Sequence, residues 1–385
     1  MQTAELLFSL IKSEILNEKT IKDSDFILDE VALYRLSKRH DLSHFLLGGL
    51  KRNGLEIKSQ ELAEKIKTDA MLSVYRETRL SETITAIKEI FNGTGIDFTL
   101  LKGAVIREMY PYAWMRTSCD IDVLVHEKDI ERAKASLIKN GFVTDGKKGF
   151  HDYFLRFNEV SVELHFSILE NNSQLDGLLS RVWEYVFKKD GNEYSENNEF
   201  FVFHHLAHMV YHVTYGGCGI RPFLDLWIME RNAFYDEEKL SALLETAELS
   251  VFYKTVKKLV AVWFNGEKHT DLTRKFEKYI LDGGVYGNKK NADAMKIASS
   301  KGKGKYLLRL VFLPYKNMCE LYPTLKKHKW LLPFYYVRRF FSKLFGKDGK
   351  KSKKRATAVI SAKRENVAVA DELLSKLGLK KETRI

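Results

Sequence analysis

Two aspartates, Asp120 and Asp122, lie two positions apart in the run DIDVLV. The apolar residues around them predict a β-strand over 120–125, and side chains at i and i+2 of a strand project from the same face. Adjacent carboxylates repel each other unless a cation neutralises them, and hard divalent cations such as Mg²⁺ prefer carboxylate oxygens. The pair is therefore a candidate metal site, the alternative being two solvated polar positions at a strand end.

A second predicted strand, VSVELHFSI at 160–168, offers a further carboxylate. Alternation along it separates an apolar face from a polar face, and the polar face holds Ser161, Glu163, His165 and Ser167. If the two strands are neighbours, Glu163 joins the two aspartates. Three such carboxylates can hold two Mg²⁺ ions about 3.5 to 4 Å apart, one activating an attacking oxygen and the other holding a triphosphate.

The segment before the aspartates contains groups that bind phosphate. Lys102 and Gly103 lie where a predicted strand passes into a helical stretch. Glycine permits close backbone approach, and a helix N-terminus favours an anion. Lys102 could contact phosphate directly, while Arg116, Thr117 and Ser118 add a guanidinium and two hydroxyls at the same end of the sheet. For Lys102 and Arg116 the alternative is ordinary surface charge.

Helices and strands must alternate to position these residues. The first 94 residues carry apolar side chains at three-to-four spacing, which predicts helices, and Asn92-Gly93-Thr94-Gly95 predicts a turn. Strands are predicted at 96–101, 120–125, 153–157 and 160–168, with a helix at 128–139. From Leu175 onward the periodicity is again mostly helical. We therefore predict four regions: a helical region at 1–94, a small mixed α/β core at 95–170, a helical lobe at 171–346, and a basic tail at 347–385 with a short terminal helix over 371–379.

The positive charge is concentrated in one late segment. The formal charge of +12 suggests an anionic partner, yet residues 301–364 hold 19 of the 63 Lys and Arg residues and only 2 of the 51 Asp and Glu residues. The rest of the chain is mildly acidic. No apolar run reaches the ~18 residues that span a bilayer, the N-terminus does not resemble a signal peptide, and three scattered cysteines without a CxxC motif fit a reducing compartment. We expect a cytoplasmic protein.

A resemblance to a known family rests on three segments: LLKGAVIREMYPYAWMRTSCDIDVLV, the Gly141-Phe142 pair after a helix, and the strand VELHFSI. Together they resemble the bacterial uncharacterised nucleotidyltransferase family of the DNA polymerase β-like superfamily. The resemblance continues through HHLAHMVYHVTYGGCGIRPFLDLWIM and more loosely to about Phe345. It implies an α+β fold, mostly helical, in which a small mixed sheet of the polymerase β-like type is embedded between helical regions.

The resemblance also implies an activity. In that superfamily, a DxD pair and a third carboxylate on a later strand bind metal, and Mg²⁺-NTP is attacked at the α-phosphorus with release of pyrophosphate. By this likeness Asp120 and Asp122 would bind Mg²⁺ or Mn²⁺, and Glu163 would be the third ligand or the general base. An NMP group would pass from an NTP such as ATP to a hydroxyl or phosphate acceptor. The chain departs from the superfamily in two ways. Lys102-Gly103 replaces the usual Gly-Ser, a variant that also occurs in abortive-infection toxin nucleotidyltransferases. The third carboxylate is a Glu rather than an Asp.

The acceptor is left open as a small molecule, a peptide or RNA. One alternative is a non-catalytic protein that keeps the fold and binds RNA or a membrane through its basic segment. Another is a toxin-like nucleotidyltransferase that acts on tRNA or protein.

The helical lobe carries further candidates. His204, His208 and His212 recur every four residues, so on a helix they form one stripe. Such a pair can bind zinc, but there is no HExxH glutamate, so we favour structural, hydrogen-bonded histidines, with contact to nucleotide or acceptor as the alternative. Arg221 and Asp225 are spaced for an intrahelical ion pair. The resemblance implies instead that Arg221 faces the cleft and contacts phosphate or an anionic acceptor.

The basic segment at 301–364 is also rich in aromatic residues, among them Trp330, Phe334, Phe340 and Phe341. Aromatic side chains next to arginine and lysine could stack on unpaired bases or lie at an anionic membrane surface. We favour a simpler interpretation, in which 306–345 is the last helical layer, buried on its aromatic side, and 347–364 is a solvated tail.

Overall fold

The computed structural model describes residues 2–22, 28–148, 152–170, 172, 174–285, 287–300, 304, 308, 312–313, 315–345 and 364–379. Within them the α-helices are α1 (Thr3–Leu16), α2 (Glu30–Arg39), α3 (Leu46–Asn53), α4 (Gln60–Thr94), α5 (Gly103–Ile106), α6 (Ile130–Lys139), α7 (Asp176–Leu179), α8 (Asn198–Thr214), α9 (Arg221–Arg231), α10 (Glu237–Thr246), α11 (Ser250–Phe264), α12 (Asp271–Gly283), α13 (Lys289–Ser299), α14 (Tyr315–Leu321), α15 (Leu332–Phe345) and α16 (Arg364–Lys376). The strands are β1 (Phe98–Leu100), β2 (Asp120–Val125), β3 (Val143–Lys148), β4 (Asp152–Phe157), β5 (Val160–His165), β6 (Val186–Asp190) and β7 (Glu193–Glu196).

The N-terminal region is helical, as predicted, and its longest helix is α4. No proline interrupts these 35 residues, and the Ser59 side chain caps the first turn by accepting a hydrogen bond from the Leu62 N–H. The turn predicted at Asn92 to Gly95 was wrong for its first three residues, which continue the helix. Only Gly95 leaves it, with a φ of 64° in the left-handed region that glycine adopts at helix ends.

The strands form one mixed sheet in the order β3-β4-β5-β2-β1-β7-β6. β2 is parallel to β5 and antiparallel to β1, so the two strands that carry the candidate carboxylates are neighbours, as the sequence analysis required. The fold is therefore the expected α+β architecture, mostly helical around a single sheet.

The two faces of β2 pack against different layers. Ile121, Val123 and Val125 are fully buried in a core with α4 and α6, as the alternation predicted. Leu124 points the other way, into the core that the N-terminal helices form with the lobe from α8 to α13. Asp122 shares the face of Leu124 because the two are separated by two positions. The polar face of the strand pair is thus directed towards the helical lobe.

The sequence analysis missed three strands, β3, β6 and β7. The last two extend the sheet past residue 170, the predicted end of the core. β6 and β7 are short, and β6 is charged and largely exposed, so neither carries the apolar alternation that marks a strand. β3 lies at the other end of the sheet.

The C-terminal segment differs from the prediction in two respects. The terminal helix begins at Arg364, seven residues before the predicted start, and Leu373 and Leu374 are buried against the lobe. Trp330, Phe334, Phe340 and Phe341 are exposed, so the expectation that the aromatic side of this layer is buried was wrong for them. Residues 346–363 and 380–385, which include most of the predicted tail at 347–385, lie outside the described residues. Within the described part of the chain, no helix is both long and apolar enough to cross a membrane.

Candidate active site

Three side chains from β2 and β5 converge on the polar face of the sheet. Asp122 lies directly opposite Glu163 in the parallel register, and His165 is two positions further along β5. The His165 Nε2 is 2.8 Å from the Asp122 Oδ1 and 3.6 Å from the Glu163 Oε2. Among the described residues, these form the one group of three His, Cys, Asp or Glu side chains whose ligand atoms all lie within 4.8 Å of one another.

Asp120 lies beside this group but not within it. Its carboxylate accepts a hydrogen bond of 2.9 Å from the Ser118 hydroxyl, and its residue is paired in register with Ser161. The structure therefore brings together two of the three predicted carboxylates. It adds His165, which the sequence analysis placed on the polar face of the strand but did not count as a site residue.

Asp122 and Glu163 differ in their electrostatic environment. Burial opposes ionisation of Asp122, but the nearby charge of Lys102 and the hydrogen bond from His165 outweigh it and hold the pKa of this carboxyl well below its usual range. Burial and the charge of Asp122 raise the pKa of Glu163 to about 7. Because one neighbour is firmly ionised and the other holds a proton near neutral pH, the site is arranged to receive additional positive charge.

Lys102 supplies the positive charge already present. Its ammonium Nζ is 3.5 Å from the Asp122 Oδ1, and burial of the lysine is outweighed by the carboxylates of Asp122, Glu170, Asp120 and Glu163, so its pKa is raised. The residue has a φ of +48°, a strained conformation for a side chain with a Cβ. The link from β1 to α5 holds that conformation and directs the lysine into the acidic cluster.

Gly103 brings the two predicted phosphate-binding segments together. A Cβ at this position would lie 3.3 Å from the Arg116 Nη1 and 3.4 Å from the Ser118 Oγ. Arg116 is not ordinary surface charge: its Nε donates a hydrogen bond of 2.7 Å to Asp225, which also accepts one from the Tyr110 hydroxyl. The guanidinium is thereby fixed in a buried ion pair with one edge beside Gly103.

The intrahelical pair predicted between Arg221 and Asp225 was wrong. Arg221 pairs with Asp41, and Asp225 pairs with Arg116. Asp41 also accepts a hydrogen bond of 2.9 Å from the Thr117 hydroxyl, so it ties the start of α9 to the loop before β2. Arg221 therefore stabilises the surroundings of the site, and its predicted contact with phosphate stays a prediction.

The histidine stripe of α8 faces the same region. His208 Nδ1 is 2.8 Å from Glu170 Oε1, and the Nε2 atoms of His208 and His212 are 2.9 Å apart. Burial and the charge of Lys102 lower the pKa of His208, whereas the charge of Asp122 opposes this shift. His204 is buried on the same stripe and bonds to Glu196. Hydrogen-bonded histidines were the favoured interpretation, and the described residues form no three-ligand group here.

Glu170 was missed by the sequence analysis. It follows β5 in the segment LENN, where neither periodicity nor a motif marks it. Its pKa is raised, because burial outweighs the charges of Lys102, His204 and His212.

The donor atoms fit a divalent cation. Asp122 and Glu163 offer carboxylate oxygens, the ligands that Mg²⁺ and Mn²⁺ share, and His165 offers an imidazole nitrogen, which first-row transition metals accept more readily than Mg²⁺. The excess of carboxylates over cations around Lys102 favours further positive charge at the same place.

Comparison with known proteins locates the chain in one family. No curated protein and no solved structure matches it. A sequence model of the family described as uncharacterised nucleotidyltransferase matches residues 28–265, more than half of the chain, and ends well before Phe345, to which the resemblance was extended. The matched range contains every predicted site residue, from Lys102 to Arg221. The chain therefore belongs to the uncharacterised nucleotidyltransferase family.

Proposed function

We propose that this protein is a divalent-metal-dependent nucleotidyltransferase that moves an NMP group from an NTP to a hydroxyl or phosphate acceptor and releases pyrophosphate. The observation that carries the proposal is the Asp122, Glu163 and His165 group, which two adjacent parallel strands hold in register in a member of this family. The three free cysteines, two of them buried, fit the reducing cytoplasm.

Asp122, Glu163 and His165 would hold Mg²⁺ or Mn²⁺. When bound, the ion would withdraw charge from the phosphate oxygens and favour departure of pyrophosphate. Asp120, oriented by Ser118 at the edge of the group, is proposed as a further ligand. This assignment keeps the predicted metal set and adds the histidine.

The nucleotide would lie against the loop at Gly103. The absence of a Cβ there leaves room for phosphate beside the Arg116 guanidinium and the Ser118 hydroxyl. Arg116 is already fixed by Asp225, so it needs no reordering to donate a hydrogen bond. Lys102 would neutralise phosphate charge, because its ammonium group is held among the carboxylates that would face the nucleotide.

The acceptor would approach from the helical lobe. Its oxygen attacks the α-phosphorus, a P–O bond forms, and the bond to the pyrophosphate leaving group breaks. We propose that His208 takes the acceptor proton at its Nε2, where the acceptor hydroxyl would displace His212. Glu170 orients the Nδ1 of His208, and the lowered pKa of the imidazole keeps it neutral near pH 7. Glu163 is the alternative base.

The test is to incubate the purified protein with each α-labelled NTP, with Mg²⁺ or Mn²⁺, and with sugar, lipid, peptide and RNA acceptors. We expect metal-dependent transfer of label with release of pyrophosphate, abolished by Asp122→Ala. Asp190→Ala, an exposed aspartate on the same sheet, is the matched control and should leave turnover unchanged. Turnover that survives Asp122→Ala would contradict the proposal. If the wild-type protein binds RNA but shows no turnover, the binding-protein alternative is favoured.

A further inference from the structure

Helix α15 and the turn before it form a surface with two different faces. Leu332, Tyr335 and Tyr336 point inward and pack on a small cluster around Met318 and Leu325. This packing anchors one side of the helix.

The outward side carries a continuous apolar stripe, which consists of Trp330, Phe334, Val337 and Phe341. Their exposed fractions are 76%, 62%, 56% and 55%. On the helix, Phe334, Val337 and Phe341 follow one another at intervals of three and four residues, the spacing that places side chains along one face. Trp330 precedes them in the turn that leads into the helix. Large apolar side chains aligned in this way on a surface indicate a binding site for something apolar.

Positive charge surrounds this stripe. Lys326, Lys327, Lys329 and Arg338 are exposed beside it. The wider segment 301–364 contains only two acidic residues, Glu320 and Asp348, against 19 basic ones. A partner that matches this surface therefore combines an apolar region with negative charge.

We propose that this surface, the stripe with its flanking Lys and Arg residues, docks the protein on an anionic lipid bilayer. In an amphipathic helix lying in the membrane plane, Trp and Phe enter the boundary between headgroups and acyl chains while Lys and Arg attract the anionic lipids. The surface shares no residue with the candidate active site, and the proposal is independent of the proposed function.

Lipid fits the stripe better than RNA or a second copy of the chain. RNA would stack its bases on a series of exposed aromatic rings. The outward stripe includes the aliphatic Val337, which offers no ring for stacking. A second copy would bring two strongly basic segments together, and their repulsion opposes that contact.

Co-sedimentation of the full-length protein with vesicles tests the proposal. The probes are phosphatidylcholine vesicles and vesicles in which roughly one third of the lipid is phosphatidylglycerol. We expect binding to the anionic vesicles that weakens with salt, a blue shift of Trp fluorescence on binding, and about a tenfold loss of binding in the Trp330→Ala, Phe334→Ala, Phe341→Ala variant. Met71→Ala and Val251→Ala remove exposed apolar side chains elsewhere and should leave binding unchanged.

Circular dichroism verifies that the triple variant is folded, which is expected because its altered side chains are exposed. The Asp122→Ala variant should bind vesicles normally, so failure of the proposed catalysis and failure of this proposal are distinguishable. Absence of vesicle binding, or equal binding by the triple variant, would overturn the proposal. If the protein binds no vesicles and the triple variant instead loses RNA binding or dimerisation, the surface belongs to RNA or to a second copy of the chain.

Discussion

Replacing Lys102 by Met should destabilise the protein and at the same time strengthen metal binding. Methionine keeps much of the apolar stem, and neither residue is glycine, so the strain of the positive φ is unchanged. The substitution removes one charge from the centre of four carboxylates, Asp120, Asp122, Glu163 and Glu170.

The magnitude follows from the ion pair with Asp122. At 3.5 Å and an effective dielectric constant of about 20, the attraction is roughly 5 kcal/mol. The Lys102 side chain is 23% exposed and that of Asp122 is 11% exposed, so desolvation offsets about half of this attraction, and we expect a net loss of about 2 to 3 kcal/mol. The loss depends on pH, because without Lys102 the carboxylates take up protons more readily in the folded state. It should be largest near pH 8 and smaller near pH 6.

The assay is urea unfolding followed by circular dichroism at about pH 6 and pH 8, with and without Mn²⁺. Because Lys102 repels an incoming cation, the Lys102→Met variant should bind Mn²⁺ about tenfold more tightly than the wild type and regain part of its stability in Mn²⁺. Lys88→Met is the matched control: Lys88 pairs with the buried Glu193 at 2.9 Å, outside the candidate site. It should lose stability without this response to Mn²⁺. An unchanged Mn²⁺ affinity in Lys102→Met would refute the electrostatic reasoning.

Further predictions concern the remaining site residues. The pKa of Glu163 is raised to about 7 from an ordinary 4.5, so between these pH values the folded protein holds a proton there that the unfolded chain lacks. The stability that Glu163 contributes is therefore present below about pH 4.5 and is lost as the pH rises through about 7. Mn²⁺ binding should release this proton and tighten from pH 6 to 8 by up to roughly tenfold, and calorimetry on Glu163→Gln should show weaker binding with a flatter dependence. His165→Asn should weaken Mn²⁺ about 10- to 100-fold and Mg²⁺ less, and an equal loss for both ions would argue against imidazole ligation. Asp225→Asn leaves Arg116 without its buried partner and should cost about 3 to 5 kcal/mol of unfolding free energy in a urea titration, which a surface pair would not. His208→Ala should lower kcat at saturating NTP and shift its pH profile while leaving metal affinity intact, and unaltered kcat would exclude it as the base.

The elements that carry the candidate site could be predicted from sequence because each has a strong local pattern. The strand over 120–125 is a short, mostly apolar run, and the alternation in 160–165 separated buried from half-buried side chains as predicted. The sequence could not predict that the two strands are neighbours, because strand pairing depends on the whole sheet. Their adjacency was therefore only a condition of the predicted site. The structure meets it through the register that sets Asp122 against Glu163.

The features that were missed depend on contacts between distant parts of the chain. Arg116 and its partner Asp225 are 109 positions apart in the chain. The local spacing of Arg221 and Asp225 suggested an ion pair that does not form, because Arg221 pairs with Asp41. Glu170 gains its role only because α8 folds back and presents His208 to it. The weak strand β6 is held in the sheet by its partner β7 and not by its own pattern.

The most direct test of the central claim is anomalous scattering from a crystal of the protein soaked with Mn²⁺ and a non-hydrolysable NTP analogue. We expect an Mn²⁺ peak contacted by Asp122, Glu163 and His165, with the analogue's triphosphate beside Gly103. Bound analogue with no Mn²⁺ at these side chains, or an Mn²⁺ peak only at another position, would contradict the account.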